Sequence, residues 1–189
     1  MKSPIFILKH KIKYNYLLAT VLIIVTLILP NTSFSAGIDK KSLINSANAE
    51  RINNNTNLLT ENELLTNAAR QKANHMIENN YFDHFAPSGL SPWDIILAND
   101  YDYYFAGENL AMDFVTSSGI HKAWMNSPTH AKNILNPNFN EIGIAVVNGK
   151  INNKQTTLVV QMFGTKANNN ILGIFDSKLI NTINKYLGI

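Results

Sequence analysis

Residues 60–76 read TENELLTNAARQKANHM and hold the clearest helical pattern in the chain. Thr60 and Glu63 have the spacing of a capping box, in which a hydroxyl and a carboxylate each accept a free backbone N–H where a helix begins. Beyond them, one helix face is apolar apart from a single charge at Lys72. Its members are Leu64, Leu65, Ala68, Ala69, Lys72, His75 and Met76. We predict a helix that packs this face on the core, with His75 as a packing or boundary residue rather than a ligand.

Two β-rich segments come late in the chain, at residues 141–147 (EIGIAVV) and 157–163 (TLVVQMF). We predict an antiparallel pair, joined by Asn148-Gly149 and a polar connection through Gln155. Because the helix and both strands are apolar on one side, they are expected to share a core. That core should need neither a disulfide nor a metal to fold.

Further helices are predicted over residues 40–51, 93–98, 116–125 and 128–135. Ser91-Pro92 and Ser127-Pro128 each give a capping serine followed by proline at the first helical position. The aromatic-rich segment 101–110 has no clear period and is predicted to be irregular. Trp93 and Trp124 are expected in the core, His121 on an exposed helix face, and Glu141 at a solvated strand edge.

Residues 1–35 have the layout of a signal peptide, with four lysines, an apolar run over 17–29 and small residues at the exit. We expect cleavage after Ser35, with Ser33 and Ser35 as the small pair. An uncleaved membrane anchor is the alternative, although the apolar run is short for a bilayer span. Residues 39–167 are the expected globular domain, and 168–189 an Asn-rich linker with a C-terminal helix.

Charge and cysteine content exclude several classes of function. The predicted leader holds four of the 16 basic residues and none of the 13 acidic ones, so the remainder has a net charge of −1. We therefore expect no nucleic-acid partner, since nonspecific phosphate binding needs a basic excess. With no cysteine in the chain, disulfide scaffolds, thiol nucleophiles and Cys-ligated zinc are excluded.

Polar residues are concentrated in three stretches where packing alone does not call for them: YFDH at 81–84, GENL at 107–110 and WMNSPTH at 124–130. Two imidazoles and a carboxylate form a plausible ligand set for a divalent ion. Spacing alone leaves other readings open, because a histidine after aromatics is often structural and a glutamate before asparagine often caps a helix.

The same stretches resemble the CAP superfamily, and specifically its compact, cysteine-free bacterial SCP-like branch. The similarity runs from about Leu43 to Gly164, with several motifs in the family's order and at its intervals. They are NAER (48–51), AARQKANHM (68–76), YFDH (81–84), GENL (107–110), WMNSPTH (124–130), NIL (133–135) and QMFG (161–164).

This resemblance implies an α+β fold, an α-β-α sandwich with a small central antiparallel sheet flanked by helices. It also implies a cleft lined by a His, Glu, Glu, His tetrad. Three members match His84, Glu108 and His130, which become the expected metal ligands, with zinc as the expected ion. The second glutamate falls at Ser127, which should sit at the rim of the cleft, so the site is less anionic than the full tetrad.

Three functions follow from these residues. The first is a secreted or envelope-associated binding module, whose cleft holds a divalent metal and a small-molecule, peptide, glycan or lipid ligand. The second, less favoured, is a metal-assisted hydrolase of peptide or cell-wall substrates, with Glu108 or a histidine as base. The third is a structural role, with the His/Glu set forming only a buried hydrogen-bond network. We expect a monomer without a stable membrane span after cleavage.

Overall fold

The computed structural model describes residues 37–167 and the helical residue Thr182. The predicted leader, 1–35, and most of the predicted C-terminal segment, 168–189, therefore lie outside the described residues. None of the described helices is long and apolar enough to cross a membrane.

Five helices and four strands make up the described domain. In chain order they are α1 (Lys40–Asn53), β1 (Thr60–Glu61), α2 (Glu63–Glu78), α3 (Pro92–Ala98), β2 (Tyr103–Met112), α4 (Ser117–Asn126), α5 (Pro128–Ile134), β3 (Glu141–Ile151) and β4 (Lys154–Lys166). The sheet order is β1-β3-β4-β2. β4 is antiparallel to both neighbours, and β1 adds two residues parallel to β3.

Helices cover both faces of the sheet, so the predicted α-β-α arrangement is confirmed. One core cluster joins α2 and α3 to the sheet and includes Leu65, Met76 and Ile96. The other joins α1, α4 and α5 to the opposite face and includes Leu43 and Trp124. The helix with the one-sided apolar face and the two late strands share a core, as the sequence predicts.

Close packing of α2 on the sheet depends on a small residue in β3. A Cβ atom added at Gly143 would overlap the main chain at Leu65 and Thr66. Glycine therefore lets the helix axis approach the strand more closely than any other residue would.

The start of α2 differs from the prediction. Thr60 and Glu61 form β1, with the Thr60 N–H donating to the Asn140 carbonyl. The N-cap is Asn62, whose side chain accepts from the N–H groups of Leu64 and Leu65. The predicted Thr60/Glu63 capping box is wrong because Thr60 is committed to the sheet. By contrast, the Ser91 cap is confirmed, with Asp94 completing a capping box.

Two predictions about strands were also wrong. The segment predicted as irregular contains β2, which pairs with β4 from Tyr103 to Met112. Residues 107–110 are buried, so this part of the strand lacks the alternation of apolar and polar residues that identifies a half-buried strand. The β3–β4 turn lies at Asn152-Asn153, whose φ values are 52° and 61°. Asn148-Gly149 continues β3 instead.

Candidate functional site

The candidate site is built around a hydrogen bond between a loop histidine and a buried glutamate. Nδ1 of His84 lies 2.6 Å from Oε1 of Glu108. The His84 side chain is 46% exposed, whereas that of Glu108 is 1% exposed. The structure therefore brings together two of the three predicted ligands, with the histidine facing solvent and the carboxylate beneath it.

Glu108 lies in β2, the strand at the edge of the sheet, opposite Met162 of β4. Its second oxygen, Oε2, is buried and has no hydrogen-bond partner. Burial raises the pKa of Glu108 above its ordinary value, while the His84 bond and the Lys72 charge oppose that rise. The side chain thus offers one unused acceptor in a low-dielectric environment.

His130 lies in the first turns of α5, and its Nδ1 atom is buried without a hydrogen-bond partner. Burial lowers the pKa of His130, and the charge of His84 lowers it further. Both causes favour the neutral ring, the form that binds metal ions. His130 and Glu108 therefore share one property, a buried polar atom that the protein leaves unpaired.

Ser127 lies where α4 ends and α5 begins, and it is half-buried. Its side chain makes no capping hydrogen bond to α5, contrary to the prediction that it caps this helix. Instead its hydroxyl lies 3.1 Å from that of Thr129. Because the Ser127 hydroxyl turns toward that of Thr129, the helix begins without a side-chain cap.

A chain of buried and half-buried amides links the backbone of Glu108 to that of His130. Asn133 Nδ2 donates to the Glu108 carbonyl and to Asn109 Oδ1, each at 2.9 Å. Asn109 Nδ2 donates to the His130 carbonyl at 3.2 Å and to Gln161 Oε1 at 3.0 Å. The network fixes β2 and α5 relative to each other, and with them Glu108 and His130.

The outer edge of β2 is covered by side chains from the neighbouring helices. Asn133 of α5 donates to the Glu108 carbonyl, and Trp124 Nε1 of α4 donates to the Leu110 carbonyl at 3.0 Å. Edge strands need such protection because their free polar groups otherwise attract other strands. Glu108 therefore lies on an edge strand where these two carbonyls are already occupied. Trp124 is in the core, as predicted.

Sequence reasoning missed the role of two residues beside His84, Lys72 and Tyr81. Lys72 is fully buried, and its Nζ atom donates to the main-chain carbonyl of His84 at 2.5 Å. The Tyr81 hydroxyl lies 3.3 Å from Lys72 Nζ and 2.9 Å from His75 Nδ1. The available signal was the lone charge on an otherwise apolar helix face.

Other expectations have mixed outcomes. His75 does lie at the boundary of the core, half-buried against Tyr81. His121 is not exposed, since its side chain is only 16% accessible and lies 3.4 Å from Glu50. Glu141 is not simply solvated, because its carboxylate accepts from the Tyr101 hydroxyl at 2.6 Å and from Asn62 at 2.9 Å.

The donor chemistry of the cleft fits zinc, although the geometry is not that of a preformed three-ligand site. Two imidazoles and a carboxylate are ordinary zinc ligands, and Glu108 Oε2 and His130 Nδ1 are buried without partners. Within residues 37–167, however, no three His, Asp or Glu side chains are grouped as a metal-binding cluster. His84 Nδ1 is committed to Glu108, which leaves its Nε2 for a ligand.

Comparison with known proteins defines the class. The cysteine-rich secretory protein (CAP) family model matches residues 44–163. The chain therefore belongs to the CAP family, although it contains no cysteine.

Among its relatives is the uncharacterised protein YkwD of Bacillus subtilis (strain 168), which is 43% identical over 108 residues, or 57% of this chain and 42% of YkwD. Of solved structures, an outer surface protein from Borrelia burgdorferi superposes with a TM-score of 0.59 at 25% identity, covering 69% of this chain and 97% of that one. An extracellular SCP-domain protein from Bacillus anthracis gives a TM-score of 0.58 at 26% identity, with 67% and 40% coverage. The chain thus spans less than half the length of YkwD and of the Bacillus anthracis protein.

Proposed function

We propose that this protein is an extracytoplasmic binding or interaction module whose ligand enters the cleft formed by His84, Glu108 and His130. The observation that carries the proposal is the buried Glu108 carboxylate. One of its oxygens binds His84 and the other has no partner. A buried acceptor without a partner costs free energy of about 1–3 kcal/mol, which a bound ligand or ion would recover.

The first occupant we propose is a divalent metal, with zinc as the best fit to two imidazoles and a carboxylate. His84 Nε2, Glu108 Oε2 and His130 would supply the ligands, and Ser127 would stand at the rim. Bound zinc would leave a coordination position for a second ligand and would polarise that ligand as a Lewis acid. The neutral state that burial favours at His130 suits this role.

The second occupant would be a small molecule, peptide, glycan or lipid outside the cytoplasm. Two structural relatives are described as an outer surface protein and an extracellular protein, which supports a secreted or envelope-associated location. The predicted leader supports the same location, and the near-neutral charge of the rest of the chain gives no reason to propose nucleic acid.

A metal-assisted hydrolase remains the alternative, and the environment of Glu108 is the observation in its favour. Burial raises the pKa of Glu108, and a carboxyl with a raised pKa is a better proton acceptor and donor near neutral pH. In that case Glu108 would take a proton from water rather than bind the ion. The hydroxyl of Ser127 is bonded to Thr129 rather than to a histidine that would activate it as a nucleophile.

Elemental analysis and ligand binding together test the proposal. Protein purified without chelators should carry zinc in near-stoichiometric amount, and Glu108→Gln should lower that content and weaken binding across a panel of muropeptides, peptides and lipid vesicles. The matched control is Glu63→Gln, which changes an exposed glutamate at the start of α2. Equal zinc content and equal binding in wild type, Glu108→Gln and Glu63→Gln would contradict the proposal, whereas turnover of a panel member would favour the hydrolase.

A further inference from the structure

We propose that Lys72 is the positioning residue of the cleft. This buried cation donates a hydrogen bond to the main chain of His84 and so keeps the His84 ring bonded to Glu108. Because the cleft's use in binding is itself the proposed function, this inference rests on it. Lys72 would act through His84 and not by touching the ligand.

Burial makes Lys72 unusual. Its side chain is fully inaccessible, and within residues 37–167 it forms no ion pair with a carboxylate at 4.0 Å or less. Removing an ammonium group from water costs several kcal/mol unless other groups compensate for the lost hydration. The groups nearest to the ammonium are the main-chain carbonyl of His84 and the hydroxyl of Tyr81. We therefore infer that the charge holds the loop that carries His84.

The loop that Lys72 holds, residues 82–85, has few main-chain hydrogen bonds of its own. In the described part of the chain, main-chain hydrogen bonds flank it at Tyr81 N to Met76 O and at Ala86 N to Leu90 O, but none involves residues 82–85. His84 itself is exposed. The 2.5 Å bond from Lys72 Nζ to the His84 carbonyl is therefore the main-chain tie at the residue that must reach Glu108.

Tyr81 in turn fixes Lys72. The ammonium lies 5.1 Å from the centre of the Tyr81 ring, within range for a cation–π contact, and 3.3 Å from its hydroxyl. His75 holds the same hydroxyl from the other side at 2.9 Å. His75, Tyr81 and Lys72 thus form a chain of contacts that ends at the His84 carbonyl.

The charges around Lys72 are consistent with this role. Burial lowers its pKa, while the negative charges of Glu108 and Asp83 oppose that effect. The ammonium also lowers the pKa of Glu108. The role of Lys72 rests on its contact with the His84 carbonyl.

The test reads the His84 ring directly and needs no ligand. Protein expressed from the full chain is labelled with ¹⁵N-histidine, and the ring resonances are compared at about pH 7 in wild type, Lys72→Met and Lys122→Met. Lys122 is an exposed lysine of α4 and serves as the control. We expect loss of the hydrogen-bonded Nδ1–H signal of His84 in Lys72→Met alone. A folded Lys72→Met protein with the wild-type His84 spectrum would overturn the proposal.

A second measurement on unmodified protein keeps the proposal testable if Lys72→Met fails to fold. Scalar coupling across the hydrogen bond between ¹⁵Nζ of Lys72 and the carbonyl ¹³C of His84 is expected. Its absence, with both resonances assigned and His84 ordered, would overturn the role of Lys72. Because neither readout involves ligand, failure here would leave the Glu108→Gln binding test, and with it the proposed function, standing.

Discussion

His84 Nδ1 and Glu108 Oε1 lie 2.6 Å apart, although the two residues are 24 positions apart in the chain. The bond joins a surface loop to the edge strand of the sheet, and it pairs a half-exposed ring with a buried carboxylate. The member of this pair that solvent can reach is therefore His84, not Glu108.

The stabilising effect of His84 should depend on pH. The hydrogen bond to Glu108 raises the pKa of His84 above 6.5, so its contribution is complete below that value and is lost as pH rises through the folded-state pKa. The difference in unfolding free energy between wild type and His84→Gln should therefore be larger near pH 6 than near pH 9. Because the ring is partly exposed, we expect a change of no more than about 1 kcal/mol.

His130→Gln is the matched control for this pH dependence, measured by urea unfolding at the same two pH values. The pKa of His130 is lowered by burial, so the neutral ring favours folding at high pH and its advantage is lost as pH falls through 6.5 and below. The difference in unfolding free energy between wild type and His130→Gln should therefore be smaller near pH 6 than near pH 9. A His84→Gln difference that is independent of pH would contradict the assigned hydrogen bond.

Arg51 should be among the most important residues for stability. It is fully buried, and its guanidinium donates to the carbonyls of Asn57, Ile134, Asn136 and Phe139. Arg51→Met would leave these carbonyls unpaired, at a cost of about 3 kcal/mol or more in unfolding free energy. Arg70→Met, at an exposed position of α2, should cost less than about 0.5 kcal/mol. Equal effects in denaturant titrations would refute this assignment.

Gly143→Ala should destabilise the packing of α2 on the sheet. The new methyl group would overlap the main chain at Leu65 and Thr66, and such overpacking costs about 1–3 kcal/mol. Gly149→Ala is the control, because the added atom meets only the flexible side chain of Ile77. Thermal unfolding should show a clearly larger loss of stability for Gly143→Ala than for Gly149→Ala. A smaller loss for Gly143→Ala would mean that α2 can shift freely away from the sheet.

Part of this fold could be predicted from sequence because local chemistry and tertiary structure agree. The Ser91 cap, the apolar face of α2 and the β3–β4 pair all follow from short-range pattern. The prediction that Thr60 caps α2 was wrong, because Thr60 pairs with Glu141 in the sheet and no local pattern encodes such long-range pairing. Asn152 and Asn153 form the turn because asparagine tolerates positive φ, whereas the sequence pattern placed the connection at Asn148-Gly149.

The site shows the same division. The family resemblance pointed to His84, Glu108 and His130, while residue spacing alone could not bring them together. The amide chain through Asn109 and Asn133 depends on how β2 and α5 meet, and it cannot be inferred until the position of β2 at the sheet edge is known. The contact between Lys72 and the His84 carbonyl depends on how the loop after α2 folds back on that helix.

Ser127→Glu should strengthen zinc binding by adding the carboxylate that the family carries at this position. Loss of a helix cap does not oppose this gain, because the Ser127 hydroxyl makes no capping bond that the substitution would break. We expect a gain in affinity of about tenfold. Thr129→Glu places the same charge on the same helix start, two residues away, and should change affinity less. Equal gains by calorimetry would indicate a general charge effect rather than a fourth ligand.

The proposed function requires that His84, Glu108 and His130 form a single metal-binding cleft. Zinc calorimetry at about pH 7.5 tests this requirement, since metal binding requires neutral rings. Wild-type protein stripped of metal should bind one zinc ion, with affinity falling as pH drops and the rings take up protons, His84 first because its hydrogen bond to Glu108 raises its pKa, and His84→Ala/His130→Ala should lose this binding. Equal binding by wild type and the double variant would contradict the claim and leave the His84–Glu108 pair as a structural hydrogen bond.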